Sequence, residues 1–557
     1  MAMTALQLQA GDTVALFMSN DIQFLGIWHG LNKAGVSVAL VNSGLTGKSL
    51  VHCLRIADAR AILFSDKLES VVAEVEEDIK EAMVPRNSSD HRPCSMFIRV
   101  PTRHSIVGDC PPRISEAIIL QKEMQTASWE RPNRRVRESI GATDPAAFIY
   151  TSGTTGMPKA ALVAHVRFVL GGTAFYDVYN FRSSDKMYQV LPLFHSAAGI
   201  IGHGLCVLYG ITMVIREKFS VRNWWTDIAQ HRCTVAQYIG ELCRYLVTAS
   251  PHPAGLDQPP HHCLRMVFGN GLRPDVWARF QSRFGIPQVG EFYGATEANT
   301  MLFNYCTTTR SQGAVGRIGR LVRFLKIIQV IKFDDEEEKP IRDSDGFCIP
   351  CDPGEPGELV AKIGKDPRSQ FQGYKGNEDA NRKKVIKDVF KKGDAYFRSG
   401  DLVRVDNDGY VYFVDRIGDT FRWKGENVAT TEVASALGEY PAVEEANVYG
   451  VPVPHTDGQA GMAAIVLNEG YTKDDLDSAD LLTFLRERLP AYAVPVFLRI
   501  LPKQPITGTF KHQKTHLRKE GADPNVVKDP LYVLKNKQYV PLDQEVWRKI
   551  TAGEAKL

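Results

Sequence analysis

No signal-peptide pattern opens this chain, and its ten cysteines lack the spacing of a disulfide framework or a zinc site. The scattered cysteines argue against a disulfide-stapled scaffold, and a reducing compartment fits best. The one C-x-x-C pair, Cys348 and Cys351, has Pro350 and Pro353 beside it and no second pair, so it reads as structural thiols in a turn. Excess charge is also missing. Lys plus Arg number 67 against 64 Asp plus Glu, a net +3, which removes the electrostatic reason to expect nucleic acid. No clean membrane-spanning run is present. The longest apolar stretch, 197–215, reaches the length of a span but contains His203 and four glycines, and a buried helix followed by a strand accounts for it.

Against these absences stand 557 residues, 44% apolar and 24% charged, the composition of a globular protein too long for one core. The opening GDTVALF, the amphipathic DIQFLGIWHGLNKAG and the β-branched VSVALV read as strand, helix and strand, with Gly35 ending the helix. The alternation continues through RAILFSD and predicts an α/β fold with a parallel sheet. Residues 84–137 lack periodicity and predict an irregular excursion. Regular texture returns at Ala146 and runs to about residue 330. The acidic run at 334–338 predicts a solvated hairpin loop. From about 345 to 415 come turn-separated strands, with a hairpin turn at Asn407 to Gly409. Helix signals at 431–438 and 477–489 and strands near 443–452 and 461–467 follow. The expected organisation is a large α/β domain over 1–415 and a smaller, mobile α+β domain over 416–557.

The densest chemical signal is YTSGTTGMPK, residues 150–159. Gly153 and Gly156 let the backbone turn its N–H groups inward, Thr151, Ser152, Thr154 and Thr155 add short donors, and Lys159 adds a mobile charge. That combination cradles a polyphosphate. Its spacing is not that of the Walker A loop, since two residues separate the glycines and Ala160 follows the lysine. A flexible surface linker would have polar flanks, whereas AAFIY in front reads as a buried strand and ALVAHVRFVL behind as a helix.

Weaker signals follow along the chain. In EFYGATEAN, 291–299, Tyr293 offers a flat face to a purine, Thr296 a hydroxyl to a phosphate oxygen and Glu297 a hard carboxylate to magnesium. An ordinary strand-to-helix loop with an aromatic core residue is the competing reading. In FRSGDL, Asp401 ends a strand-like segment, where a carboxylate can accept both hydroxyls of a ribose. VDRIGDTFRWKGENVATTEV, 414–433, gathers Arg416, Gly418, Arg422, Lys424 and Gly425, or is simply a solvated basic hairpin. His195 in LPLFHSAAG is a candidate for catalysis or for packing.

The order of YTSGTTGMPK, LPLFHSAAG, FGNGLRPDVW, EFYGATEAN, FRSGDL and DRIGDTFRWKGEN over nearly the whole chain resembles the acyl-adenylate-forming, AMP-binding enzymes. GDTFRWKGENVATTEV and the C-terminal DPLYVLKNKQYVPLDQEVWRKITAGEAKL are similar to the fatty acid transport proteins, or very long-chain acyl-CoA synthetases, of the type 1 or type 4 branch. The resemblance implies that Tyr150 to Gly156 and Lys159 hold the β- and γ-phosphates of ATP, and that Gly269, Asn270, Gly271 and Tyr293 bracket adenine. It also implies that Thr296 meets the α-phosphate, Glu297 holds Mg2+, Asp401 and Arg416 hold the ribose, and Lys424 joins the nucleotide set. His195 would stand with the catalytic group, and the acyl chain would run near Val235 to Glu241.

The family's catalytic lysine follows Thr-Gly directly, but here TGTFKHQK puts Thr509 there. Alignment on the downstream pattern selects Lys511 through a two-residue insertion, with Lys514 as the alternative. Gly418 stands at the family's hinge. The implied activity is an ATP-dependent, long-chain or very long-chain fatty acid–CoA ligase linked to fatty acid uptake. The alternatives are a transport or binding component with weak ligase activity, or an adenylating ligase for another carboxylic acid. Implied partners are ATP, CoA, long-chain fatty acids and a membrane, with the catalytic domain facing the cytoplasm at the endoplasmic reticulum or plasma membrane. A homo-oligomer is compatible with this. Members of that branch carry an N-terminal membrane segment ahead of GDTVALF, so a truncated or alternative product, or an incomplete gene model, is expected.

Overall fold

The computed structural model describes residues 8–83, 96–101, 114, 117–128, 130–151, 157–259, 261–306, 309–334, 337–423, 426–456, 458–505 and 514–555. The chain forms two compact units. The first comprises 1–271, 280–309 and 362–386, and the second 272–279, 310–361 and 387–557.

The first unit holds two sheets. One runs β5 (Ile118–Ile119), β4 (Met96–Val100), β3 (Ala59–Ser65), β1 (Thr13–Phe17), β2 (Ser37–Val41), β6 (Pro145–Thr151), β7 (Lys159–Ala164). All its pairs are parallel except β6 with β7. Strands β1 and β2 are buried at every residue, so they carry continuous apolar runs rather than alternation. Helix α1 (Ile22–Lys33) explains the crossover. Asp21 caps it by accepting from the Gln23 N–H, and Phe24, Trp28 and Leu31 at helical spacing form its buried face. Gly35 follows at φ +80°, where a Cβ would come 2.9 Å from the Ala10 Cβ.

The second sheet orders β13 (Met301–Cys306), β12 (Gln288–Gly294), β11 (Met266–Asn270), β10 (Val235–Ile239), β8 (Lys186–Gln189), β9 (Thr212–Ile215). It is parallel apart from β12 with β13. The apolar stretch at 197–215 resolves into a π-helical turn Ala197–Gly202, a helix His203–Tyr209 and strand β9. Among the described residues no helix is long and apolar enough to cross a membrane.

Three expectations change. The segment behind the Thr/Ser/Gly loop is first a strand, β7, buried at four of its six positions, and the helix α2 (His165–Val178) begins only after it. Within the supposedly irregular 84–137, Met96–Val100 joins the parallel sheet beside β3. The segment EFYGATEAN leads from strand to strand, because β13 turns back antiparallel on β12.

In the second unit a sheet runs through Gly316–Arg317, Tyr410–Arg416, Ala395–Val405, Pro356–Lys362 and Ile328–Ile331. The acidic run lies in a hairpin whose strands Phe333–Asp334 and Lys339–Pro340 are antiparallel. Gly409 turns the 405–411 hairpin at φ +88°. Burial pushes the Cys351 thiol up to about 12 and raises Cys348 as well, so this pair is chemically quiet. The C-terminal part packs helices Thr430–Gly438 and Ser478–Arg486 on a five-stranded sheet that includes Val443–Pro452 and Gln459–Leu467. Its core gathers Val433, Leu437, Tyr449, Met462, Leu481, Leu485 and Phe497.

Candidate active site

Strands β6 and β7 end opposite each other, with Thr151 paired to Lys159 and Tyr150 to Ala160. The connecting Ser152, Gly153, Thr154, Thr155 and Gly156 lie outside the described residues. Tyr150 points into the core, where its hydroxyl donates to the Cys53 carbonyl at 2.6 Å. Only its main chain is left to serve the loop.

A third segment closes this mouth. Leu162 N–H donates to the Gly373 carbonyl at 3.0 Å and Lys375 N–H to the Ala160 carbonyl at 2.9 Å, so Tyr374 is bridged onto β7. Gly373 sits at φ +71°, with the Asn381 Oδ1 2.6 Å from where a Cβ would be. The Lys159 Nζ lies over the Tyr374 ring, 5.5 Å from its centroid. The Tyr374 hydroxyl donates to Glu297 Oε1 at 2.7 Å, and the Lys384 Nζ is 3.7 Å from the same oxygen. Burial and the Glu297 charge both raise the Tyr374 phenol, so it stays a donor.

The loop after β12 is held from below. The Arg167 guanidinium, from α2, donates to the carbonyls of Ala295 (3.2 Å) and Ala298. Asn299 Nδ2 donates to the carbonyls of Lys362 and Ser369, both at 2.9 Å. Burial pulls Arg167 down to about 10 against the opposing charge of Glu297. Thr296 Oγ1 lies 3.0 Å from Ser196 Oγ. A small cavity here is lined by Arg167, Ser196, Ile200, Ile201, Phe292 and Thr296. Its polar side chains are Arg167 and the Ser196–Thr296 pair, and Ile200, Ile201, Phe292 and Met301 are apolar.

His195 precedes Ser196. Its ring lies against Phe194 with centroids 4.6 Å apart, and its carbonyl accepts from the Gly199 N–H at 2.7 Å. Gly269 and Asn270 end β11, beside Glu291 on β12. A Cβ on Gly269 would fall 2.1 Å from the Tyr238 carbonyl oxygen, so only glycine fits this crossing. Gly271 follows at φ +76°, and Tyr293 is half-buried on β12 opposite Leu302. Near Val235 to Glu241, Tyr238 donates to the buried Glu291 carboxylate and Gln189 to Gln237.

In the second unit Asp401 and Arg416 face each other across antiparallel strands, Nε to Oδ1 3.8 Å. Glu358, with no exposed surface, grips Arg398 through both oxygens and accepts from the Gly400 N–H at 3.3 Å. The turn leading to Asp401 is thereby fixed. Beyond Arg416, Gly418 turns at φ +83°. Buried Asp415 accepts from the Thr430 N–H at 2.5 Å and the Arg416 N–H at 2.8 Å. Lys514 donates to the Thr430 hydroxyl at 2.6 Å and sits 3.3 Å from Asp419, while Arg518 donates to the Gly418 carbonyl at 3.0 Å. Lys511 and Lys424 lie outside the described residues.

Thus Thr151, Lys159 and Glu297 gather around Tyr374 in one unit, with Thr296 in the same loop as Glu297, and Asp401 with Arg416 pair in the other. Tyr374, Lys384, Arg167, Ser196, Glu358 and Asp415 were not singled out from sequence. Only Tyr374 had a local cue, the turn-forming glycines 373 and 376 on either side of it.

Residues 1–374 match the family model of the AMP-binding enzymes, and residues 432–511 that of the AMP-binding enzyme C-terminal domain. Long-chain fatty acid transport protein 1 of Mus musculus is 42% identical over 550 residues, covering 98% of this chain and 80% of that protein. Long-chain fatty acid transport protein 2 of Rattus norvegicus is 41% identical over 559 residues, covering 99% and 84%. Among solved structures, ATP-bound MatB from Rhodopseudomonas palustris aligns with a TM-score of 0.73 at 22% identity, over 93% of this chain and 90% of that one. O-succinylbenzoate coenzyme A synthetase from Bacillus subtilis, in complex with ATP and magnesium ion, aligns at 0.68 and 21% identity, over 94% and 91%. At these identities the structural matches speak to the fold.

Proposed function

Because the chain belongs to the AMP-binding enzyme family and, within it, with the long-chain fatty acid transport proteins, we propose that it is a long-chain or very long-chain fatty acyl-CoA synthetase. ATP and a fatty acid give acyl-adenylate and pyrophosphate, and CoA then gives acyl-CoA and AMP. The carboxylate attacks the α-phosphorus as the bond to the pyrophosphate oxygen breaks; the CoA sulfur then attacks the acyl carbon and AMP departs. The observation that carries this reading is the meeting of Thr151, Lys159 and Glu297 around Tyr374, with Thr296 in the Glu297 loop.

In the first step little covalent work falls to the protein, so its residues position groups and neutralise charge. Lys159 at the mouth of the β6–β7 hairpin would meet the departing phosphates. Thr296, held by Ser196, would donate to the α-phosphate. Asp401 would accept from the ribose hydroxyls, with Arg416 fixing its orientation. A single carboxylate flanked by hydroxyls matches the way magnesium is usually held, by one or two carboxylates plus substrate phosphates. Glu297 would hold that ion, which would supply neutralisation of phosphate charge. Lys511 would reach the reacting carboxylate and α-phosphate, and the small cavity beside Ser196 and Thr296 would receive the acyl carboxyl end.

For the second step, rotation about Gly418 would withdraw Lys511 and admit CoA. An assay with palmitate and longer acids, run with and without membranes, tests the reading. ATP- and CoA-dependent thioester formation supports it. Activity confined to aryl or other non-fatty acids, or binding of fatty acid without turnover, contradicts it.

A further inference from the structure

The helix Arg320–Phe324 in the second unit buries none of its residues. Leu321, Phe324 and Leu325, at positions i, i+3 and i+4, share one face, and that face points to solvent: they are 68%, 82% and 49% exposed, and Ile327 beyond them 43%. Exposed apolar residues scattered singly need no explanation, but four within seven residues form a patch.

The patch is built rather than frayed. Leu325 N–H donates to the Leu321 carbonyl at 2.9 Å and Ile327 N–H to that of Val322 at 3.1 Å. The Tyr396 hydroxyl anchors the Lys326 carbonyl at 2.7 Å, and Gln329 reaches the Arg323 carbonyl at 2.5 Å. Immediately afterwards the chain enters the strand Ile328–Ile331.

Charge is segregated on the same segment. Between Thr307 and Phe333 stand Arg310, Arg317, Arg320, Arg323, Lys326 and Lys332, with no Asp or Glu. Arg310 is paired with Asp408, Lys332 with Glu355, and Arg317 lies over the Tyr410 ring. Lys326 lies over the Phe390 ring. Among the described residues no ion pair involves Arg320, which is exposed and stands beside the apolar face, whereas Arg323 turns to the far side of the helix and lines a small cavity with Asp352 and Glu355. An apolar face with the exposed Arg320 beside it, on a segment without acidic residues, complements a bilayer with anionic headgroups, in which the apolar side chains enter the acyl boundary and the guanidinium meets phosphates. A second copy fits poorly, because a two-fold contact would set one basic segment against another.

We propose that Leu321, Phe324, Leu325 and Ile327, with Arg320, form a docking surface for an anionic lipid bilayer. The surface stands independently of the reaction proposed above. The purified full chain is sedimented with phosphatidylcholine vesicles with and without phosphatidylserine, beside a Leu321→Ser/Phe324→Ser variant and an Arg320→Glu variant. Wild type binds phosphatidylserine vesicles, more weakly at high salt. Each variant loses about tenfold in partition at an unchanged thermal midpoint. The charge-reversal variant remains decisive if the serine variant folds poorly. Equal partition of all three proteins, binding indifferent to phosphatidylserine, no wild-type binding, or an effect confined to self-association in sedimentation velocity overturns the proposal.

Discussion

At Glu297 one carboxylate oxygen meets both the Tyr374 hydroxyl and the Lys384 ammonium. Tyr374→Phe keeps the ring under Lys159 and removes one hydrogen bond to a charged acceptor. Pyrophosphate exchange is expected to slow about tenfold, the equivalent of about 1.4 kcal/mol. Glu297→Gln removes the charge and is expected to slow it by at least ~100-fold. An unchanged rate in Glu297→Gln would remove this residue from the nucleotide site. His203 gives a separate readout through stability. It is buried against His29, Trp28 and Phe168, and burial, then His29, hold its imidazole down at about 3 against a contact with Gly199. The unfolded chain binds that proton near 6.5. Nothing is lost above this value, and stability falls as pH drops from it toward the folded pKa. By pH 5 the loss is about 2 kcal/mol. Urea unfolding at pH 7 and pH 5 checks this, because His203→Phe should lose correspondingly less.

At the scale of elements, the turn at Gly418 is the sharpest test. A Cβ there meets nothing within 4 Å, yet φ is +83°, so a β-branched side chain suffers backbone strain rather than collision. Gly418→Val is expected to slow thioester formation more than adenylation; equal losses in the two half-reactions would argue against a pivot. Elements whose chemistry is local were legible in sequence. The helix from Ile22 to Lys33 declared its apolar face and its stop. Strand Met96–Val100 was hidden because its flanks are rich in proline, arginine and serine, and its pairing with β3 is a tertiary matter. The strand behind the phosphate loop read as a helix because both of its faces are covered, which erases alternation. Tyr374 and Glu358 could not be found from spacing. Tyr374 reaches Glu297 across 77 residues and Arg398 reaches Glu358 across 40.

Across the whole molecule, each unit has its own buried core and its own half of the proposed chemistry. Thr151, Lys159, Thr296 and Glu297 belong to one, and Asp401, Arg416 and the segment bearing Lys511 to the other. In the second unit the fully buried Glu358 pairs with Arg398, whose side chain is 25% exposed. Removing Arg398 leaves the buried carboxylate with only the Gly400 N–H as donor, while the exposed side of the guanidinium lessens the loss, so Arg398→Met is expected to cost about 2–3 kcal/mol in denaturant unfolding. A loss under about 1 kcal/mol would show that water reaches Glu358. The fold class and the order of the motifs followed from sequence, because they lie in strongly patterned strands and turns; that Asp401 and Arg416 face each other across antiparallel strands did not. Nor did the cavity beside Thr296, because its lining comes from α2, the π-helical turn and β12, which no single segment contains.

Exchange of labelled pyrophosphate into ATP, measured with palmitate on wild type and on Lys511→Ala, bears most directly on the proposed chemistry. Palmitate-dependent exchange that Lys511→Ala reduces by at least ~100-fold is the predicted result. Absence of exchange with any fatty acid, or an unchanged rate in Lys511→Ala, would contradict it.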